Sequence, residues 1–143
     1  MNISLKKNSA RILATVAATG LALTVSAGNA AAGPSGVRFS VGSMNSDGSR
    51  VIGIIVDGRY AGSAEWKANG DTLEAGDTTA DGYGVGAYLG TNPVREATTF
   101  GLASPVWKSK GGDLPENHTY TFWACIGNNS IGLTWSDVVN VKS

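Results

Sequence analysis

Arg50-Val51-Ile52-Gly53-Ile54-Ile55-Val56-Asp57-Gly58-Arg59-Tyr60-Ala61-Gly62-Ser63-Ala64-Glu65-Trp66 is two largely apolar runs joined by an Asp-Gly pair. Such a pair is the strongest short-range signal for a two-residue β-hairpin, because both central positions of the turn need positive φ. A two-residue loop also sets the register. Ile55 is then expected opposite Tyr60, Gly53 opposite Gly62, Val51 opposite Ala64, and Arg50 opposite Glu65 as a cross-strand ion pair. Side chains alternate across a strand. The register therefore predicts a core side with Val51, Ile55, Tyr60, Ala64 and Trp66. The outer side would carry Ile52, Ile54, Ser63, Arg50 and Glu65.

Outward from the hairpin the same period-two signal repeats. Val37 to Val41 alternates cleanly, and Asn45 to Ser49 reads as a turn or loop. Thr72 to Ala75 and the glycine-rich Tyr83 to Leu89 are expected strands, with weaker ones over Ala97 to Leu102 and Pro105 to Lys108. Thr119 to Ile126 and Leu133 to Val141 are expected to close the fold as a hairpin around Gly127-Asn128-Asn129-Ser130. No window shows apolar residues at helical spacing with caps. About eight short strands between turn residues predict an all-β chain, a sandwich or small barrel.

The first residues read differently. Lys6, Lys7 and Arg11 precede the uncharged run Ile12 to Val25, and Ser26 to Ala32 is a run of mostly small residues. That is the order of a secretory signal peptide, so residues 1–32 are expected to be removed on export and residues 33–143 to form one extracellular domain. The apolar run is too short to span a bilayer, and no later segment is longer, so no membrane span is expected. The leader's Ala/Thr/Gly-rich composition resembles those of small secreted proteins of high-GC Gram-positive bacteria.

After Ala32 there are eight Lys and Arg against eleven Asp and Glu, a net charge of −3. That balance argues against nucleic acid as a partner, since phosphate neutralisation needs a basic surface, and equally against anionic membranes. Cys125 is the single cysteine. No internal disulfide is possible, so burial of four Trp, four Tyr and three Phe must stabilise the fold. The thiol is expected either buried or bridging two chains.

Catalytic chemistry finds few residues to use. His118 is the sole histidine, and it lies in a turn with no G-x-S-x-G nucleophile motif anywhere in the chain. One His and one Cys do not make a zinc site. Asp71, Asp77 and Asp81 crowd one loop-strand-loop segment, and such oxygen ligands suit Ca²⁺. The competing reading is that aspartates favour turns by bonding their own backbone. The aromatics carry a different idea. Period two from Tyr120 points Phe122, Ala124 and Ile126 inward, and Thr121, Trp123 and Cys125 outward. Trp123, with Ile52 and Ile54 if their strands are neighbours, would form an apolar outer patch. Alternatively the segment Ser104 to Gly112, carrying Trp107, folds over that face.

Leu114-Pro115-Glu116-Asn117-His118-Thr119-Tyr120-Thr121-Phe122-Trp123-Ala124 resembles the approach to strand F of fibronectin type III and immunoglobulin-like sandwiches. Ser136-Asp137-Val138-Val139-Asn140-Val141 resembles their last strand. The resemblance implies a β-sandwich with a structural tyrosine corner built from Leu114 and Tyr120. It departs from the family in three ways. The proline sits one residue early, Cys125 stands five residues after Tyr120 rather than two, and the Asp57-Gly58 turn is too tight for a crossing between sheets. The expectation is a secreted, cofactor-free, non-catalytic sandwich that binds an extracellular glycan or protein. An enzyme inhibitor or toxin-like effector and a calcium-dependent hydrolase are the alternatives.

Overall fold

The period-two runs become ten antiparallel strands. They are β1 (Val37–Val41), β2 (Arg50–Val56), β3 (Arg59–Lys67), β4 (Thr72–Asp77), β5 (Gly84–Leu89), β6 (Arg95–Thr98), β7 (Val106–Lys110), β8 (Thr119–Asn128), β9 (Ile131–Trp135) and β10 (Val139–Lys142). The computed structural model describes residues 33–128 and 131–143, with no helix among them. The expected signal peptide and the tip of the last hairpin, residues 129 and 130, lie outside the described residues. The first sheet runs β1-β2-β3-β4-β7 and the second β10-β8-β5-β6, with β9 also on β8. The chain is thus an all-β sandwich.

The Asp57-Gly58 turn forms as expected, with φ of 48° and 77°. Ile55 pairs with Tyr60 and Val56 with Arg59. Ala61 is then an extra residue on β3. Beyond it Ile54 meets Gly62, Ile52 meets Ala64, Val51 meets Glu65 and Arg50 meets Trp66. This is a β-bulge, and a one-residue slip carries side chains to the other face. Ala64 and Trp66 are buried as expected, but Ile52 and Ile54 are buried beside them, while Val51 and Tyr60 are exposed. The expected sides of β2 are therefore reversed. Its run is apolar on both sides, so alternation alone does not choose between them.

The expected Arg50–Glu65 pair gives way as well. The Arg50 guanidinium donates to the Gly42 carbonyl at 2.8 Å and the Asn140 carbonyl at 3.1 Å. Glu65 instead lies 3.6 Å from Lys67, which also meets Glu74 at 3.1 Å.

Between the sheets, Ile52, Ile54, Trp66 and Leu73 face Val85, Leu89, Phe122, Ile126 and Val141, all buried. Burial of each such large side chain contributes about 1.5–3 kcal/mol. The expected closing strand is two. β9 and β10 lie along the same edge of β8. At the break, the Ser136 amide donates to the Ala124 carbonyl, and the Ser136 hydroxyl accepts from the Ala124 amide, both at 2.9 Å. A side-chain oxygen thus replaces one backbone acceptor, and the regular ladder stops there.

Candidate functional site

The residues expected to make one outer patch go to three places. Ile52 and Ile54 are in the core with no exposure. They cannot touch a ligand, and the patch they were to share with Trp123 does not exist. Ser104 to Gly112 does not fold over that face either. It contributes β7, an edge strand paired with β4. Trp107 is 54% exposed on the outer face of the first sheet. Trp123 lies on the outer face of the second sheet, across the sandwich.

On that second face Trp123 has aromatic company. It sits directly opposite Tyr88 on β5, and their rings stack with centroids 5.7 Å apart and planes 10° from parallel. On the far side of β8, Trp135 of β9 leans over Cys125, its register partner. Its ring centroid is 5.5 Å from that of Tyr88, with the planes at 50°. Such distances suit favourable ring–ring contact. Glycine permits this layout, because a Cβ on Gly86 would stand 2.7 Å from Tyr88 Cε2 and 2.9 Å from Cys125 Sγ. The Tyr88 ring thus reclines along the sheet over a position with no side chain. Trp135 remains 50% exposed.

The surroundings of the rings are mostly neutral and polar. Register puts Glu96 beside Tyr88, and Thr121 and Asn140 beyond Trp123. Tyr88 and Trp135 were not among the expected contact residues. Tyr88 stands out of phase with the inward Val85, Ala87 and Leu89, a signal that was available, whereas Trp135 shares its phase with Leu133 and alternation gave no such signal for it. Their meeting with Trp123 depends on non-local pairing, which local sequence does not carry.

Cys125 lies beneath these rings, buried and unpaired. Its thiol donates to the Tyr88 hydroxyl at 3.8 Å. Burial pushes the thiol up to about 11 from its ordinary 9.0. Burial also raises the Tyr88 hydroxyl, helped by Cys125 and Glu96. Above pH 9 an unfolded chain has lost the thiol proton that the fold retains to about 11. The unfolded state then binds fewer protons, so stability is whole below pH 9 and falls as pH rises toward 11. The melting temperature should fall more steeply over that window in the wild type than in Cys125→Ala. Parallel slopes would show that the buried thiol does not set the response.

The three aspartates expected as calcium ligands do not converge. Asp71 and Asp77 stand at opposite ends of β4, roughly 20 Å apart at strand rise. The Asp71 carboxylate accepts the Leu114 amide at 2.7 Å. Asp77 is buried and accepts the Thr79 amide at 3.1 Å and the Ser104 hydroxyl. Asp81 accepts the Tyr83 amide at 2.9 Å. Asp77 and Asp81 act as turn-formers in the β4–β5 connection. Among the described residues no group of three or more His, Cys, Asp or Glu could hold a metal ion.

Leu114 and Tyr120 both pack against the core. The intervening turn is tied to Ser143, whose carbonyl accepts the Asn117 amide at 2.9 Å and whose amide donates to the His118 carbonyl at 3.0 Å. His118 is exposed, with its ring 6.2 Å from that of Tyr120. Among the described residues no helix is long and apolar enough to cross a membrane. Comparison with protein families, with curated proteins and with solved structures gave no match.

Proposed function

We propose that this is a small secreted, non-catalytic binding module that holds a polysaccharide against the aromatic face of its second sheet. The observation that carries the reading is the contiguous Tyr88–Trp123–Trp135 cluster, presented by three hydrogen-bonded strands with one ring half exposed. Sugar rings offer apolar C–H faces to such indoles, and their hydroxyls suit neutral partners such as Thr121 and Asn140. A rigid sheet preorganises the contact, so little ordering cost opposes it.

The leader's composition supports export. Strand order supports the immunoglobulin-like resemblance: β3, β4 and β7 neighbour one another as strands A, B and E do. The second sheet, β10 and β9 with β8, β5 and β6, follows the G-F-C-C′ order. β1 and β2 are then an added hairpin outside the A position, so the tight Asp57-Gly58 turn is no obstacle to that topology.

Co-sedimentation with insoluble cellulose, chitin and peptidoglycan tests the reading. Trp135→Ala should weaken retention by about tenfold or more, the scale of an anchoring aromatic, and leave the thermal transition cooperative. Trp123→Ala should do the same with a modest loss of stability from the lost stack. Wild-type retention by Trp135→Ala, or no retention of the parent chain on any of the three, would overturn it.

A further inference from the structure

The opposite face carries a second feature, which the aromatic cluster does not use. Across the outer side of the first sheet, register aligns Ser40, Gly53, Ser63, Gly76 and Trp107 in one row perpendicular to the strands. Four of the five side chains are small or absent, so the row is a trough. At strand spacing its four small positions extend roughly 14 Å, and Trp107 closes the row. Tyr60 and Ile55 stand along one side, and Val51, Glu65 and Glu74 along the other. Its β1–β3 end is an open cleft of about 340 Å³ lined by Ser40, Gly53, Val51, Ile55 and Tyr60. At the other end the Trp107 indole lies on Gly76, with Nε1 2.5 Å from where a Cβ would be. Tyr60 and Trp107 are 56% and 54% exposed.

We infer that this trough is a second binding site, for a single extended strand of uncharged oligosaccharide laid across the sheet. Two arguments select that occupant. The backbone groups of β2, β3 and β4 are spent within the sheet ladder, so the floor offers a peptide no main-chain partners. A peptide seated there would leave its own amides unpaired, whereas peptides that bind sheets join an edge. A sugar chain meets the Ser40 and Ser63 hydroxyls with its own and stacks on Tyr60 and Trp107. The charges also suit a neutral ligand: Lys67 is engaged by Glu65 and Glu74, and register puts Arg38 on the opposite side beside Ile55. Positive and negative groups balance along the trough.

Gly53 makes the test sharp. A Cβ there would meet only ordinary contacts, 3.7 Å to the Ser40 carbonyl oxygen and 3.7 Å to Tyr60 Cε2. Valine also suits a strand better than glycine. Gly53→Val should therefore fill the trough with no loss of melting temperature. The probes are β-1,4-linked hexasaccharides of glucose, N-acetylglucosamine, xylose and mannose, titrated calorimetrically into the purified chain. In a Trp135→Ala chain, where the aromatic face of the second sheet is weakened, at least one should still bind, with affinity reduced about tenfold or more when Gly53→Val or Trp107→Ala is added. No binding by any of the four, undiminished affinity when Gly53→Val is added, or loss in Trp135→Ala alone would overturn the second site. The last of these outcomes would leave the aromatic face of the second sheet standing. A dimer in the parent chain that Gly53→Val dissociates, without sugar binding, would assign the trough to a second copy and also overturn the inference.

Discussion

Trp66→Ala should cost about 3–5 kcal/mol, the range for emptying a large aromatic site in a core. Trp66 is wholly buried on β3. Its indole nitrogen also donates to the Lys142 carbonyl of β10 at 2.7 Å, so the side chain both fills the interior and ties the first sheet to the second. Alanine removes the volume and leaves that carbonyl without its indole donor. Domains of this size are stable by about 5–15 kcal/mol in all, and each kcal/mol moves the melting temperature by roughly 4–8 °C. A fall of about 15 °C or more is expected in a circular-dichroism melt. Trp66→Phe retains most of the packing and loses the hydrogen bond, so it should fall between the two. A melting temperature for Trp66→Ala within about 3 °C of the parent would contradict this account of what joins the sheets.

The second large effect concerns Gly62, where even a methyl group has no room. Gly62 lies on β3 one residue past the bulge, paired with Ile54 on one side and Asp77 on the other. A Cβ there would run into the Gly76 carbonyl oxygen and stand 3.0 Å from Val85 Cγ2 of the opposite sheet. The obstacle is backbone, which cannot rotate away as a side-chain tip can. Gly62→Ala should therefore destabilise by about 3 kcal/mol, the upper part of the usual range for overpacking. Gly53 is the contrast. It is a strand glycine of the same hairpin, but it points outward, where a Cβ meets only ordinary contacts. A neutral or stabilised Gly62→Ala would mean that β3 can shift against β4, which the paired register from Gly62 to Lys67 argues against.

These two glycines show where sequence reading stops. Both sit in apolar runs of the same hairpin, and nothing in their neighbours distinguishes the blocked one from the open one. The turn between them was readable, because Asp57-Gly58 demands a specific backbone and forms it. The bulge at Ala61 was not, because an extra small residue leaves no mark in β3, and the partner run of β2, apolar on both faces, accepts either register. Its consequence was large: Ile52 and Ile54 moved from a proposed surface to the core, and Tyr60 moved out. In β8 the reading held, since Phe122, Ala124 and Ile126 are buried and the exposed Thr119 and Thr121 set the phase of the strand.

The aspartates illustrate a related limit. Asp71, Asp77 and Asp81 are close in sequence, but β4 is extended and separates its two ends. Nearness along a strand is distance in space, so a cluster that looked like one cation site is two separate devices holding loops. The aromatics behave in the opposite way. Tyr88, Trp123 and Trp135 are scattered in sequence and meet because β5 and β9 both pair with β8.

Local chemistry was enough to establish an all-β chain, the positions of most strands, the tight turn and the inward side of β8. Each of these depends on neighbours within a few residues, through alternation, turn geometry and hydrophobic burial. The tertiary structure alone decided which side of β2 faces the core, which rings share a surface, and that a row of small residues crosses four strands as a trough. Those properties belong to register between distant segments, and a single inserted residue can reverse them without changing the local pattern.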